Sequence, residues 1–310
     1  MLIEPTEWSP PDGSSSLAAL RVTHADTILV VVPERGGKLV SLVHKQESME
    51  WLWLNPYLPW RTPSLGDSYV QRHDLGGWDE CFPTVAPTVV NGVRWPDHGD
   101  LWWRPWQAEI RGDTLWMGVE GAGYRFERLL QGTRTGMQLS YSVTNLTSES
   151  FPYLWCAHPL FHMGPAMLIE VAGRPDLRLG NDSALGAMGE VHRWPTIKGR
   201  TLQQAGKPSG LAAKLFLAVE TGEVLLSRPD HPFALALQWP IEKLPFLGLW
   251  LNEEGWSGAG TPNYCNLGIE PSNGAPDDLA IAYRDWKCAG MLAPGGSDSW
   301  WLHLAFVEER

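Results

Sequence analysis

Hydrophobic and polar positions alternate along this chain in short bursts, and the bursts predict strands. Over 138–144, Leu139, Tyr141 and Val143 interleave with Ser140, Ser142 and Thr144, the period-two pattern of a strand with one face in a core. Comparable runs, rich in β-branched and aromatic residues, occupy 27–33, 38–43, 114–119, 223–226, 233–239, 247–251 and 300–307. No stretch keeps an amphipathic helical stripe for more than about three turns. The helix-tolerant pieces are 209–218 and a turn near 277–280. With 32 glycines and 25 prolines the chain is punctuated too often for long helices. The expectation is an all-β fold, a large antiparallel β-sandwich with few short helices. Residues 1–20, with Pro10, Pro11, Gly13 and three serines, read as a loose N-terminal arm, and 21–310 as a single sandwich domain. The stretch 55–105 reads as a long loop-rich region of the kind that carries function.

Composition narrows the functional classes. A chain of 310 residues can bury a substantial core. No apolar run approaches the roughly 18 residues of a membrane span, so no membrane partner is expected. The start Met1-Leu2-Ile3-Glu4-Pro5 lacks the basic and apolar regions of a signal peptide, which predicts a cytoplasmic protein. Cys81, Cys156, Cys265 and Cys288 lie far apart without a CxxC pair and read as free thiols. Net charge is −11 without a basic cluster, which argues against nucleic acid and against a dedicated phosphosugar site. Tryptophan is the outlier, at 18 residues, and many indoles fall in Pro/Gly-rich stretches, among them Trp53, Trp60, Trp78, Trp102 and Trp256. Indoles in such places make flat apolar walls that suit the C–H faces of sugars.

Candidate chemistry clusters in four segments. In Asn266-Leu267-Gly268-Ile269-Glu270-Pro271 a carboxylate ends a half-buried strand, where it must find a partner or take a raised pKa. An edge-strand ion pair accounts for Glu270 as simply as a catalytic base does. In Trp155-Cys156-Ala157-His158-Pro159 the proline argues that the strand ends, placing His158 at a rim, with residues 141–145 as its antiparallel partner. His162 follows at a spacing of about 13 Å on a strand, too far to share an ion, so no metal is expected. His98, between Asp97 and Gly99, fits a surface turn as well as a site. In Gly76-Gly77-Trp78-Asp79-Glu80-Cys81 the adjacent carboxylates point to opposite sides if extended, one toward a cavity and one toward solvent.

Together these segments resemble the aldose 1-epimerase (galactose mutarotase-like) family. The ordered pattern is Gly36-Gly37 with Leu39 and Ser41, Trp51-Leu52, Gly76-Gly77 with Phe82-Pro83, His98-Gly99 with Trp106, Tyr141 to Asn145, Ala157-His158-Pro159 and Gly268-Ile269-Glu270-Pro271, spread over 27–307. The resemblance implies a β-sandwich with a sugar cleft on the concave face of one sheet. It also implies Glu270 as general base, His158 as general acid and His98 as a sugar-binding histidine. The family often has an arginine at or just before the Gly-Gly segment; here Leu75 precedes the glycines, and Arg72, Asp79 or Glu80 are the substitutes to consider. Trp78, Trp250 and Asn252 complete the expected substrate contacts.

Mutarotation opens a cyclic hemiacetal and recloses it on the other face of C1, so one group takes a proton from the anomeric hydroxyl and another protonates the ring oxygen. A carboxylate and an imidazole suffice, without cofactor or metal. The expected function is therefore a mutarotase acting on a small-molecule sugar as a monomer or homodimer. The alternatives are a non-catalytic sugar-binding or sensor module, a hexose-phosphate mutarotase using Arg61, Arg72, Arg94 or Arg104, and a glycoside hydrolase pairing two of Asp79, Glu80 and Glu270.

Overall fold

The computed structural model describes residues 1–64, 66–164, 166–258 and 261–308. Among them two antiparallel sheets dominate, of 14 and nine strands. The larger begins with Leu2–Trp8, Leu17–His24, Thr27–Val32 and Lys38–His44 and continues through Trp78–Cys81 and Cys156–His162. It then passes through Cys265–Ser272, Phe246–Glu253, Leu211–Ala218 and Asp176–Leu179 to short strands at its far edge. The smaller sheet centres on Phe233–Gln238, Ser297–Glu308, Met137–Asn145, Tyr124–Gly132 and Thr114–Glu120.

Alternation decides which faces meet. Met137–Asn145 buries every second side chain, as its sequence predicted. Leu139, Tyr141, Val143 and Leu302 from the smaller sheet join Leu29, Leu39 and Trp78 of the larger, with Trp155 just before Cys156–His162, in one apolar core. Each such side chain contributes about 1.5–3 kcal/mol when fully withdrawn from water. Within this core Arg128 is completely buried, bonded through Nη1 to Glu80 Oε1 at 2.9 Å and through Nη2 to the Gly37 carbonyl; Tyr141 Oη donates to the same Glu80 oxygen at 3.0 Å.

Four expectations need correction. Leu2–Trp8 is not a loose arm: it pairs in register with Leu17–His24, and Trp8 packs edge-on against Trp60 at 4.5 Å. The helix-tolerant stretch 209–218 contains the strand Leu211–Ala218, because flanking strands on both sides take up its backbone groups. Helix propensity is a weak prior against such pairing. Residues 141–145 do not pair with the His158 strand but belong to the other sheet. Finally, Cys156–His162 runs straight through Pro159: the ladder to Cys265–Ser272 is interrupted between Cys156 and Leu160, where the missing N–H is not needed. His158 is thus mid-strand, not at a rim. The 55–105 stretch is mostly irregular, as expected, around Trp78–Cys81, a small hairpin and the wide helical turn Tyr69–His73. A short helix, Leu279–Ile281, is capped by the Asp278 carboxylate.

Candidate active site

Strand register assembles the centre of the cleft. Cys156–His162 lies between Trp78–Cys81 and Cys265–Ser272, and His158 is paired with Asp79. The registers Cys156↔Ser272 and Leu160↔Gly268 place His158 opposite Glu270. Glu270 Oε1 lies 4.0 Å from His158 Nε2, while its other oxygen is bonded by Lys214 Nζ. Lys214 also approaches Asp277 Oδ1 at 3.4 Å. Glycine makes room for this arrangement: a Cβ on Gly268 would sit 2.4 Å from Glu270 Oε1.

Loops close the cleft from above. His98 adopts φ +58 and Gly99 φ +73, a left-handed pair that turns back onto the Phe82 backbone. A Cβ on Gly99 would lie 2.1 Å from the Phe82 carbonyl oxygen, so the turn docks there only with glycine. The His98 ring stacks on Tyr69 at 3.8 Å and meets the His158 ring edge-on at 4.8 Å. Tyr69 donates to Asp79 Oδ2 at 2.7 Å, and Lys38 binds the same oxygen at 2.5 Å. The result is a cavity of about 260 Å³ whose polar lining includes Asp74, His98, His158, Lys214, Glu270 and Asp277, with Trp250 and Trp256 forming an apolar wall.

The electrostatics follow from burial and neighbours. Burial raises the Glu270 carboxyl above the usual range, opposed by the Lys214 ammonium. Burial alone would depress Lys214, but Asp277 and Glu270 outweigh it and hold the ammonium firmly charged. Burial, helped by positive His98, Lys214 and Lys38, pushes His158 well below the ordinary histidine value. His98 goes the other way: burial lowers it, but Asp97, hydrogen-bonded to Nδ1 at 3.1 Å, with Asp74 and Asp277 leaves it raised. His98 therefore holds a proton more readily than His158 does.

Several sequence candidates stand elsewhere. Glu270, His158, His98 and Trp250 line the cavity. Asp79 lies beneath it, bonded to Tyr69 and Lys38. Glu80 points not to solvent but into the core, with Arg128. Trp78 is fully buried in the same core. Asn252 supports the cleft indirectly, its amide bonding the Trp256 backbone at 3.1 and 3.0 Å. Arg72 does not substitute for the family arginine: it is exposed and does not line the cavity. Sequence reasoning missed Lys214, Asp277, Asp74 and Tyr69. Lys214 had a signal, a lone cation in the apolar run Leu211-Ala212-Ala213-Lys214-Leu215-Phe216-Leu217.

As for metals, Cys81, His98 and His158 offer ligand atoms within 4.8 Å of one another, a grouping invisible in sequence spacing. The donor set fits poorly: burial holds the Cys81 thiol well above its ordinary pKa, and cationic Lys214 is close enough to act on His158. No helix among the described residues is long and apolar enough to cross a membrane.

No family model matches the chain, and no curated protein matches it. Solved structures do. A candidate aldose 1-epimerase from Escherichia coli K12 superposes with TM-score 0.69 at 18% identity, over 93% of this chain and 98% of that one. The fold is that of the galactose mutarotase-like proteins. A galactose mutarotase-like protein from Clostridium acetobutylicum matches with TM-score 0.68 at 14% identity over 100% of this chain and 99% of its own. Slr1438 from Synechocystis sp. PCC 6803 gives 0.69 at 16%, covering 97% of this chain and 98% of that one. In this chain the cleft lies on the larger sheet, on the face turned away from the core.

Proposed function

We propose that this protein is a carbohydrate mutarotase of the aldose 1-epimerase type, with Glu270 as general base and His158 as general acid. The observation that carries the reading is the 4.0 Å separation of Glu270 Oε1 and His158 Nε2 within the cavity. The anomeric hydroxyl and the ring oxygen are both bonded to C1, so the base and acid that serve them must be neighbours. Glu270 takes the hydroxyl proton as the bond from C1 to the ring oxygen breaks, and His158 delivers a proton to that oxygen. The open aldehyde turns about C1–C2 and recloses with the two roles exchanged. His158 serves as acid in its protonated form. Trp250 and Trp256 offer faces for the sugar to lie against. Each acid–base group supplies about 10²–10⁴-fold.

Glycoside hydrolysis would require carboxylates about 5–9.5 Å apart flanking the scissile bond. Asp79 and Glu80, the partners the sequence offered for Glu270, lie outside the cavity lining, one bonded to Lys38 and the other to Arg128.

Anomer exchange measured by NMR on free aldoses, with wild type beside Glu270→Gln, tests the proposal. The expected result is acceleration by wild type and a loss of about 10²-fold or more in the variant. Undiminished exchange in Glu270→Gln would remove Glu270 from the mechanism. Sugar-dependent tryptophan fluorescence without any acceleration would mark a binding module instead.

A further inference from the structure

Apart from Glu270 the cavity lining carries two carboxylates, Asp74 and Asp277, and Asp74 has an unsatisfied oxygen. Asp74 follows the wide turn Tyr69–His73, and its backbone is fixed by Asn55 Nδ2, which donates to the Asp74 carbonyl at 2.9 Å. The side chain lines the cavity yet is only 6% exposed. Its Oδ1 has no hydrogen-bond partner, and its Oδ2 receives one long contact, from Tyr264 Oη at 3.4 Å. A buried carboxylate oxygen left without a donor is costly, so a donor brought by a ligand is worth more there than at the surface.

The charges around Asp74 state which donor fits. Asp277 and Glu270 line the same cavity, and the lining ammonium, Lys214, is already engaged by both. Lys38 is held beneath the cleft by Asp79 and the Gly76 carbonyl. Arg61, Arg72, Arg94 and Arg104 are all absent from the lining. A phosphate or carboxylate on the sugar would therefore meet carboxylates, and among the described residues the cations of the lining, Lys214 and His98, are already engaged by Glu270, Asp277 and Asp97, whereas anion sites are normally built from free donors.

We propose that Asp74 is a specificity-determining residue that accepts hydrogens from the sugar's hydroxyl or amino groups, selecting aldoses that carry no anionic group and rejecting phosphorylated or uronate sugars. The inference rests on the mutarotase reading for its activity assay, but its binding assay does not. Wild type and Asp74→Asn are compared by anomer exchange and by tryptophan fluorescence titration, using glucose, galactose, glucosamine, glucose 6-phosphate and glucuronate. Wild type is expected to turn over and bind the neutral sugars and to discriminate against both anionic ones. Asp74→Asn is expected to raise KM for neutral sugars by about tenfold to 10²-fold with kcat largely kept, and to narrow the gap to the anionic sugars. A purely structural role would instead lower kcat and KM selectivity alike for every sugar. Preference for glucosamine over glucose that vanishes in the variant also supports the carboxylate's contact. The proposal is overturned if wild type handles glucose 6-phosphate as well as glucose, or if Asp74→Asn leaves the neutral-to-anionic ratio unchanged. If no sugar is turned over, the mutarotase reading fails, and the fluorescence ratio alone still decides the role of Asp74. Should Asp74→Asn fold poorly, the wild-type ratio and Tyr264→Phe, which frees the second oxygen and is expected to tighten neutral-sugar binding, decide it.

Discussion

Lys214 reaches Glu270 across an intervening strand because the residue beside Glu270 on that strand is Gly248. Gly248 pairs with both Glu270 and Phe216, and a Cβ there would stand 3.2 Å from Glu270 Cβ and 3.4 Å from Oε2. The ammonium thus holds one carboxylate oxygen and leaves the other without a hydrogen-bond partner, facing His158. A carboxylate with one tethered oxygen and one free oxygen is held in a single orientation, as the proposed base requires.

Replacing Lys214 by Met should move the rising limb of the kcat–pH profile to higher pH. With Glu270 as the proposed base, activity needs its carboxylate; burial raises its pKa, and Lys214 is the strongest influence opposing that rise. Losing the ammonium leaves the carboxyl protonated to higher pH. A lysine acting only as scaffold would scale kcat down without moving the limb.

Gly268→Ala should cost about 10²-fold in kcat while preserving the fold. The added Cβ would lie 2.4 Å from Glu270 Oε1, so the carboxylate must swing away from His158. Near-wild-type kcat with an unchanged melting temperature would show that the carboxylate position is not critical.

His98→Asn should shift the falling limb of the profile to higher pH. Positive His98 is among the groups that lower His158, after burial, and its removal lets His158 keep a proton further into the alkaline range. Binding weakens in the same variant, so kcat, not kcat/KM, is the quantity to follow.

Arg128→Met should destabilise the protein by about 3–5 kcal/mol in chemical denaturation, since it strands a buried carboxylate in the core. Adding Glu80→Gln to that variant should restore part of the loss, a coupling a double-mutant cycle reads directly. Burial, against Arg128 and Tyr141, pushes Glu80 up to about 7. A folded-state pKa above the unfolded one means its contribution is complete at low pH and fades as pH rises through that value. Glu80→Gln mimics the protonated side chain, so its stability relative to wild type should improve from pH 5 to pH 8.

Deleting residues 1–16 should lower the melting temperature and promote association seen by light scattering. The cut removes Leu2–Trp8 and leaves Leu17–His24 as an unprotected sheet edge.

Alternation in 138–144 was enough to predict its strand and its buried face, because a two-residue period is a local property of the backbone. Ordered short motifs likewise carried Glu270, His158 and His98, which do line one cavity. Pairing partners were not local. The Tyr141 strand went to the other sheet, and a run tolerant of helix became the strand that delivers Lys214. The charges of the cleft were even less legible. Asp79 and Glu80 are neighbours in sequence with opposite fates, one beneath the cavity and one in the core with Arg128. Asp74, three residues before Gly77, escaped notice because nothing in its surroundings marks it as buried. Sequence alone determined the strand-forming character of the chain and the chemical types available for acid–base work. Tertiary structure decided which carboxylate keeps a free oxygen, because that depends on contacts between strands far apart in the chain and on glycines that leave space beside them.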